Sequence, residues 1–243
     1  MNLEKYQQYS RIARGLEKAD LVLKDARIVN VFTEEIIRGD IAIQDGIIAG
    51  IGSFHGKEER DLAGKYVCPG FIDSHLHLES TLVTPAELVT VASRHGTTTF
   101  IVDPHESANV SGLAGVDYIL DQTENVKANV YVMMPSCVPA TSIDDNGCTL
   151  TAEDMAPYLH NSRILGLGEV MDSISVVQGE KSMHDKLELF EGRIRDGHAP
   201  FLEEGDLQAY AMAGISPAVA IAVLAITAAA PISIASHAWE GLP

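Results

Sequence analysis

Pro69-Gly70-Phe71-Ile72-Asp73-Ser74-His75-Leu76-His77 reads as a buried strand that runs out into two histidines one residue apart. Side chains alternate faces along a strand, so His75 and His77 share a side and can grip one cation while Leu76 turns away into packing. The residues before them (Tyr66, Val67, Cys68, Phe71, Ile72) form a short apolar run broken by Pro-Gly, the pattern of an interior strand. Two histidines in a solvated loop would look the same in isolation, so the reading rests on the segments downstream of His77.

Three of those segments repeat the layout. Phe100-Ile-Val102 leads into Asp103-Pro-His105-Glu106, and Ile164-Leu-Gly-Leu-Gly168 ends in Glu169. Arg193-Ile-Arg-Asp-Gly197 ends in His198, just before Ala199-Pro200. Each candidate strand carries a ligand-type residue at its carboxyl end, where the βα loops of a parallel barrel converge on the active site. Helix-start patterns lie between them: Thr84-Pro-Ala-Glu87 with a stop at Gly96, Thr151 to Asp154, and Ser182 to Asp185. Strands alternating with helices predict βα units and a parallel sheet near 97–102, 130–134, 164–169 and 193–196, with a sixth strand near Gly214-Ile215.

The first 64 residues read differently. A polar helical lead to about Lys18 precedes β-type runs at Leu21–Leu23, Ile28–Phe32, Ile36–Ile43 and Ile47–Ile51. Lys24-Asp25, Thr33-Glu34-Glu35 and Asp45-Gly46 separate them, the last suited to a two-residue hairpin. The expected fold is therefore α/β: an incomplete (β/α)8 barrel over 65–216, preceded at 1–64 by a small antiparallel β-sandwich portion with a joint near Gly64.

Together these motifs resemble the amidohydrolase superfamily, and within it the adenine deaminase family. The resemblance is carried by His75-Leu-His-Leu-Glu-Ser80, Asp103-Pro-His-Glu106, Ser136-Cys-Val-Pro139, Gly168-Glu-Val-Met-Asp172 and Asp196-Gly-His-Ala-Pro200. It implies a barrel that binds divalent metal and converts adenine and water to hypoxanthine and ammonia in purine salvage. It further implies that His75, His77, Glu169 and His198 are the metal ligands, with Glu169 bridging a binuclear pair and serving catalysis. Manganese is the expected ion, with iron and zinc as alternatives, since imidazole and carboxylate serve all three. Relatives that use a carboxylated lysine as the bridge are disfavoured, because Ile164–Glu169 contains no lysine.

Several residues keep two readings. Glu169 can instead start a helix. Glu79 is a candidate proton shuttle to the leaving ammonia, or a solvated loop acid. Asp103, His105 and Glu106 suit an accessory metal or substrate site, or groups that orient other ligands and cap backbone. His55, His160, His184 and His237 lack supporting context and read as surface residues, and His95 as the last turn of a helix. His77-Leu-Glu79 matches the H-x-E of zinc cytidine-type deaminases, but no P-C-x-x-C accompanies it.

Composition bounds the partners. With 17 basic and 34 acidic residues the formal charge is −17, which repels phosphate backbones and anionic lipids but not a neutral purine base. Cys68, Cys137 and Cys148 have no zinc-finger spacing, and the amino terminus is polar, so a cytoplasmic location is expected. A full-length form is expected to be a homo-oligomer.

After Ser216 the resemblance stops. Relatives continue with a histidine-bearing motif, and later an aspartate that accepts a proton from the attacking water. This chain instead runs Pro217-Ala-Val-Ala-Ile-Ala-Val-Leu-Ala-Ile-Thr-Ala-Ala-Ala-Pro231, with no charged residue between Asp206 and Glu240. Residues 217–243 are expected to be a non-family tail from a frameshift or truncated copy. A membrane span is the weaker reading, because Pro231 interrupts it and flanking basic residues are absent. The expected function is adenine deamination with weak or no turnover. The alternatives are another cyclic amidohydrolase or a non-catalytic metal-binding remnant.

Overall fold

The computed structural model describes residues 1–141, 143–199 and 202–217, and those residues fall into two units that the chain joins between Gly70 and Phe71. In the first unit, helix α1 (Leu3–Ala13) opens with Asn2, whose side chain accepts the Lys5 N–H at 2.9 Å. Five strands follow: β1 (Ala19–Asn30), β2 (Glu35–Gln44), β3 (Ile47–Gly52), β4 (Gly56–Asp61) and β5 (Tyr66–Val67). Asp45 and Gly46 both take positive φ, 52° and 75°, as a two-residue hairpin loop of matching twist requires.

Two expectations need correction here. The runs at Leu21–Leu23 and Ile28–Phe32 belong to one strand, β1, because Lys24-Asp25 forms a bulge between Leu23 and Ala26 rather than a turn. The sheet is mixed, not antiparallel: β2 and β3 pair antiparallel, but β4 and β5 both run parallel to β1. Alternation along β1 and β2 buries both faces. Ala19, Val22 and Ala42 pack with Ile12 and Phe54 on one side, and Leu23, Ala26, Ile28, Ile41 and Ile43 on the other.

The second unit alternates strand and helix. Its elements are β6 (Phe71–Leu76), α2 (Pro85–Ser93), β7 (Thr97–Val102), α3 (His105–Ser111), α4 (Leu113–Gln122), β8 (Asn129–Pro135) and α5 (Ala152–Met155). They continue with β9 (Ile164–Val170), α6 (Ser173–Gln178), α7 (Lys181–Leu189), β10 (Ile194–Gly197), α8 (Glu204–Met212) and β11 (Ser216–Pro217). The six strands pair parallel in strict chain order, the connectivity of a βα barrel. Phe100, Val102, Val130, Val132 and Met134 pack towards Val89, Ile119, Met155, Leu187 and Phe190 of the helical layer. Ile101 and Met133 turn the other way, to Ile72, Leu165 and Ile194.

Local details depart from the expected ones. The apolar run from Tyr66 to Ile72 is not one strand; Pro69-Gly70 divides it between β5 of one sheet and β6 of the other. Thr151 and Asp154 form the expected capping box, but Thr84 makes no side-chain cap bond, and α7 starts at Lys181 rather than after Ser182. The sixth strand is two residues long, at Ser216–Pro217. His237 and the apolar run beyond Pro217 lie outside the described residues, and no helix among the described residues is long and apolar enough to cross a membrane.

Candidate metal centre

Strict alternation would put Ile72 and Leu76 on the same face, yet Ile72 packs inside with Ile101 while Leu76 packs with the helical layer. A register shift between Asp73 and Leu76 turns β6 at this point. His75 and His77 end up with their Nε2 atoms 3.2 Å apart. Their other nitrogens meet acceptors: His77 Nδ1 lies 2.7 Å from the Asp103 carbonyl oxygen, and His75 Nδ1 lies 3.3 Å from Asp196 Oδ2. Those acceptors suit ring protons on Nδ1, so in the neutral rings both Nε2 atoms are the free ligand atoms and face one another.

Glu169 completes the group from β9. Its Oε2 lies 3.3 Å from His77 Nε2 and 3.9 Å from His75 Nε2, and its Oε1 lies 3.8 Å from His198 Nδ1 at the end of β10. Ligand atoms of His75, His77 and Glu169 lie within 4.8 Å of one another, and His198 stands at the exposed edge. Glu169 has a φ of 23°, a backbone region that side chains disfavour, and Ser136 donates its hydroxyl to the Glu169 carbonyl at 3.1 Å. A Cβ on the preceding Gly168 would stand 2.2 Å from Asp103 Oδ2, so only glycine lets the Asp103 carboxylate sit there.

The electrostatics describe a site short of positive charge. Hydrogen bonding to Glu169 first, with the Glu106 and Asp103 charges, pushes His77 up to about 9 against the opposing effect of burial. Asp196 raises His75, and the His77 bond holds Glu169 below its ordinary value. Asp103 is 1% exposed, neither of its carboxylate oxygens has a hydrogen-bond partner, and burial drives its pKa well above the usual range. Two facing imidazole Nε2 atoms, a carboxylate and an orphaned buried acid suit a divalent transition ion, which would take the place of the His77 proton.

The other expected residues take mixed places. Glu79 Oε1 accepts the N–H groups of Glu106 and Ser107 at 3.1 and 3.2 Å, so this acid caps α3, while its buried Oε2 has no partner. Glu79, Glu106 and His77 also lie within 4.8 Å of one another. His105 faces an open cavity of about 530 Å³ that His77 and Glu169 also line. His55, His160 and His184 are exposed. Sequence reasoning missed Asp196, which orients His75, although the Asp-Gly-His pattern at a strand end carried the signal. It also missed Tyr210, whose hydroxyl donates to the Val170 carbonyl at 2.5 Å and accepts the His198 N–H at 3.1 Å. A lone tyrosine in a helical segment without an apolar stripe gives no such signal.

The Amidohydrolase family model matches residues 66–241. The chain belongs to the amidohydrolase family. This amidohydrolase is 58% identical over 215 residues to an adenine deaminase of Desulfitobacterium hafniense, a match covering 88% of the chain and 38% of that protein. It is 49% identical over 205 residues to an adenine deaminase of Clostridium acetobutylicum, covering 84% of the chain and 36% of that protein. The chain thus spans well under half the length of the curated relatives it matches. Among solved structures it resembles a zinc-bound N-acyl-D-glutamate deacylase from Bordetella bronchiseptica, with a TM-score of 0.55, 17% identity, and coverage of 82% of this chain and 49% of that one. That likeness concerns the fold, and the parallel unit is a partial (β/α)8-type barrel.

Proposed function

We propose that this chain carries the metal-binding portion of an adenine deaminase, a hydrolase that converts adenine and water to hypoxanthine and ammonia. The observation that carries the reading is the 58% identity over 215 residues to a curated adenine deaminase. His75, His77 and His198 would hold a divalent cation with Glu169, whose two oxygens divide between the histidine pair and His198. When bound, such a cation lowers the pKa of water enough to supply hydroxide near neutral pH. Manganese is our choice over iron and zinc, and the divided Glu169 carboxylate supports a binuclear site.

The chain's own groups do the rest. Asp196 and the Asp103 carbonyl hold the ring protons of His75 and His77 on Nδ1, so both Nε2 atoms stay available. Glu79 has its pKa raised by burial, which suits a group that carries a proton to the departing ammonia. Three free cysteines and the −17 formal charge fit a small neutral substrate and a cytoplasmic role in purine salvage. The described residues supply six parallel strands where a closed barrel has eight, so we infer weak turnover from this polypeptide by itself.

The test is a direct assay. The 243-residue chain is loaded with manganese and offered adenine, hydantoin and dihydroorotate. Manganese uptake with slow ammonia release from adenine alone supports the reading. Hydrolysis of either cyclic amide in preference to adenine overturns it.

A further inference from the structure

The cavity beside the donor set has a wall that the proposed chemistry leaves unused. His105 and Asn109 stand one turn apart on α3, so their side chains leave the same face of the helix, and both line this cavity. His105 Nδ1 and Asn109 Oδ1 are buried, and neither has a hydrogen-bond partner among the described residues. Buried polar atoms of native proteins are nearly always bonded, so two orphans in residues that line one cavity leave hydrogen bonds for a polar ligand to supply as the side chains turn to it. Val110 and Met171 add apolar surface to the same cavity. Its volume, about 530 Å³, falls within the roughly 300–1,000 Å³ of small-molecule sites.

The wall is held in place from both ends. The Glu79 carboxylate bonds the first turn of α3, and the Gly147 N–H donates to the Asn109 carbonyl at 2.9 Å. A Cβ at Gly147 would lie 2.3 Å from the Val110 carbonyl oxygen, so the loop after β8 can press on α3 only with glycine there. Recognition groups need such support, because a loose first contact loses its directionality.

We propose that Asn109 and His105 form a recognition edge for a planar purine base, with Val110 and Met171 against its ring. The proposal rests on the adenine reading and deepens it. In this proposal the amino-bearing carbon faces His77 and Glu169, and α3 takes the edge across the ring, N3 with N9–H. A carboxamide presents one acceptor and one donor side by side, the complement of that edge. His105 contributes a further single donor or acceptor from its ring.

Equilibrium dialysis of the manganese-loaded 243-residue chain against adenine and 9-methyladenine tests this. The methyl group removes the N9–H donor and leaves the reacting carbon unchanged. The unaltered chain should bind adenine about tenfold more tightly than 9-methyladenine, the value of one good hydrogen bond. Asn109→Ala should abolish that difference with manganese content unchanged. Asn109→Asp, which keeps the size and loses the donor, should weaken adenine binding by a similar factor, and His105→Ala should weaken both bases alike. A preference for adenine that survives in all three variants overturns the recognition edge and leaves the adenine reading standing. Loss of manganese together with adenine in Asn109→Asp overturns it too, by making the residue a support of the metal group. A manganese-loaded chain that binds neither base overturns both readings.

Discussion

The β sheet of the first unit and the strand ends of the second treat their acids in opposite ways. In the sheet, Asp40 meets the Lys24 ammonium at 2.5 Å and accepts the N–H groups of Asp25 and Phe54 at 3.1 and 3.2 Å. Asp20 meets Lys57, and Asp25 meets Arg38, both at 2.7 Å. At the strand ends, Glu169, Asp196 and Glu106 gather round two imidazoles with Asp103 buried beneath, and no lysine or arginine salt bridge reaches any of them among the described residues. A buried charge left without its partner is costly. The sheet pairs its acids with lysine and arginine, and the open set at the strand ends is what the proposed cation would neutralise.

The largest effect should come from the open set. Glu169→Gln removes the charge that faces three histidines, so the chain should lose one manganese equivalent by elemental analysis. The same change in a full-length relative should cost on the order of 10³-fold in activity. Retention of both would make Glu169 a structural acid and erase the contrast. The closed set is tested by Asp40→Ala. It strands the Lys24 ammonium, which is partly exposed, so the cost should sit at the low end for a broken buried pair, about 3 kcal/mol by urea denaturation. A loss under about 1 kcal/mol would show that solvent already screens the pair.

The two regions should also respond oppositely to pH. Burial raises Asp40, but Lys24 and the two N–H donors outweigh it and hold the group below its ordinary 3.8. Its contribution is therefore present above pH 3.8 and disappears as pH falls through the folded value. His77 is raised from 6.5 to about 9, so in the metal-free chain its pairing with Glu169 is fully present below pH 6.5 and is lost as pH rises through about 9. Denaturation midpoints of the metal-free chain from pH 6 to 10 should fall across that upper window, and saturating manganese should remove the fall. A flat profile without metal would count against the geometry of the pair.

The smallest effect concerns how the open set is held. Tyr210→Phe deletes the hydroxyl that ties the Val170 carbonyl to the His198 N–H. It should cost about 1–2 kcal/mol of stability and weaken manganese affinity severalfold. Unchanged affinity with reduced stability would reduce Tyr210 to a packing residue.

Much of this was legible along the chain. The βα alternation, the Thr151 capping box, the Asp45-Gly46 hairpin and the polar residues ending apolar runs depend on neighbours a few positions apart, and such periodicities are written in order. The spacing of His75 and His77 suggested a pair, but His77 lies past the end of β6, and the turn there brings the two Nε2 atoms together. What order could not disclose depends on contacts between distant segments. The parallel pairing of β4 and β5 with β1 is a matter of which edges remain free once the hairpins form. The register shift in β6, the strained Glu169 and the buried Asp103 follow from strands packing edge to edge, where Gly168 alone makes room for a carboxylate. Asp196 became a partner of His75 and Asn109 part of a cavity wall only because β6, β9, β10 and α3 converge. Periodicity assigns a side chain to a face, but three-dimensional packing decides which other faces it meets.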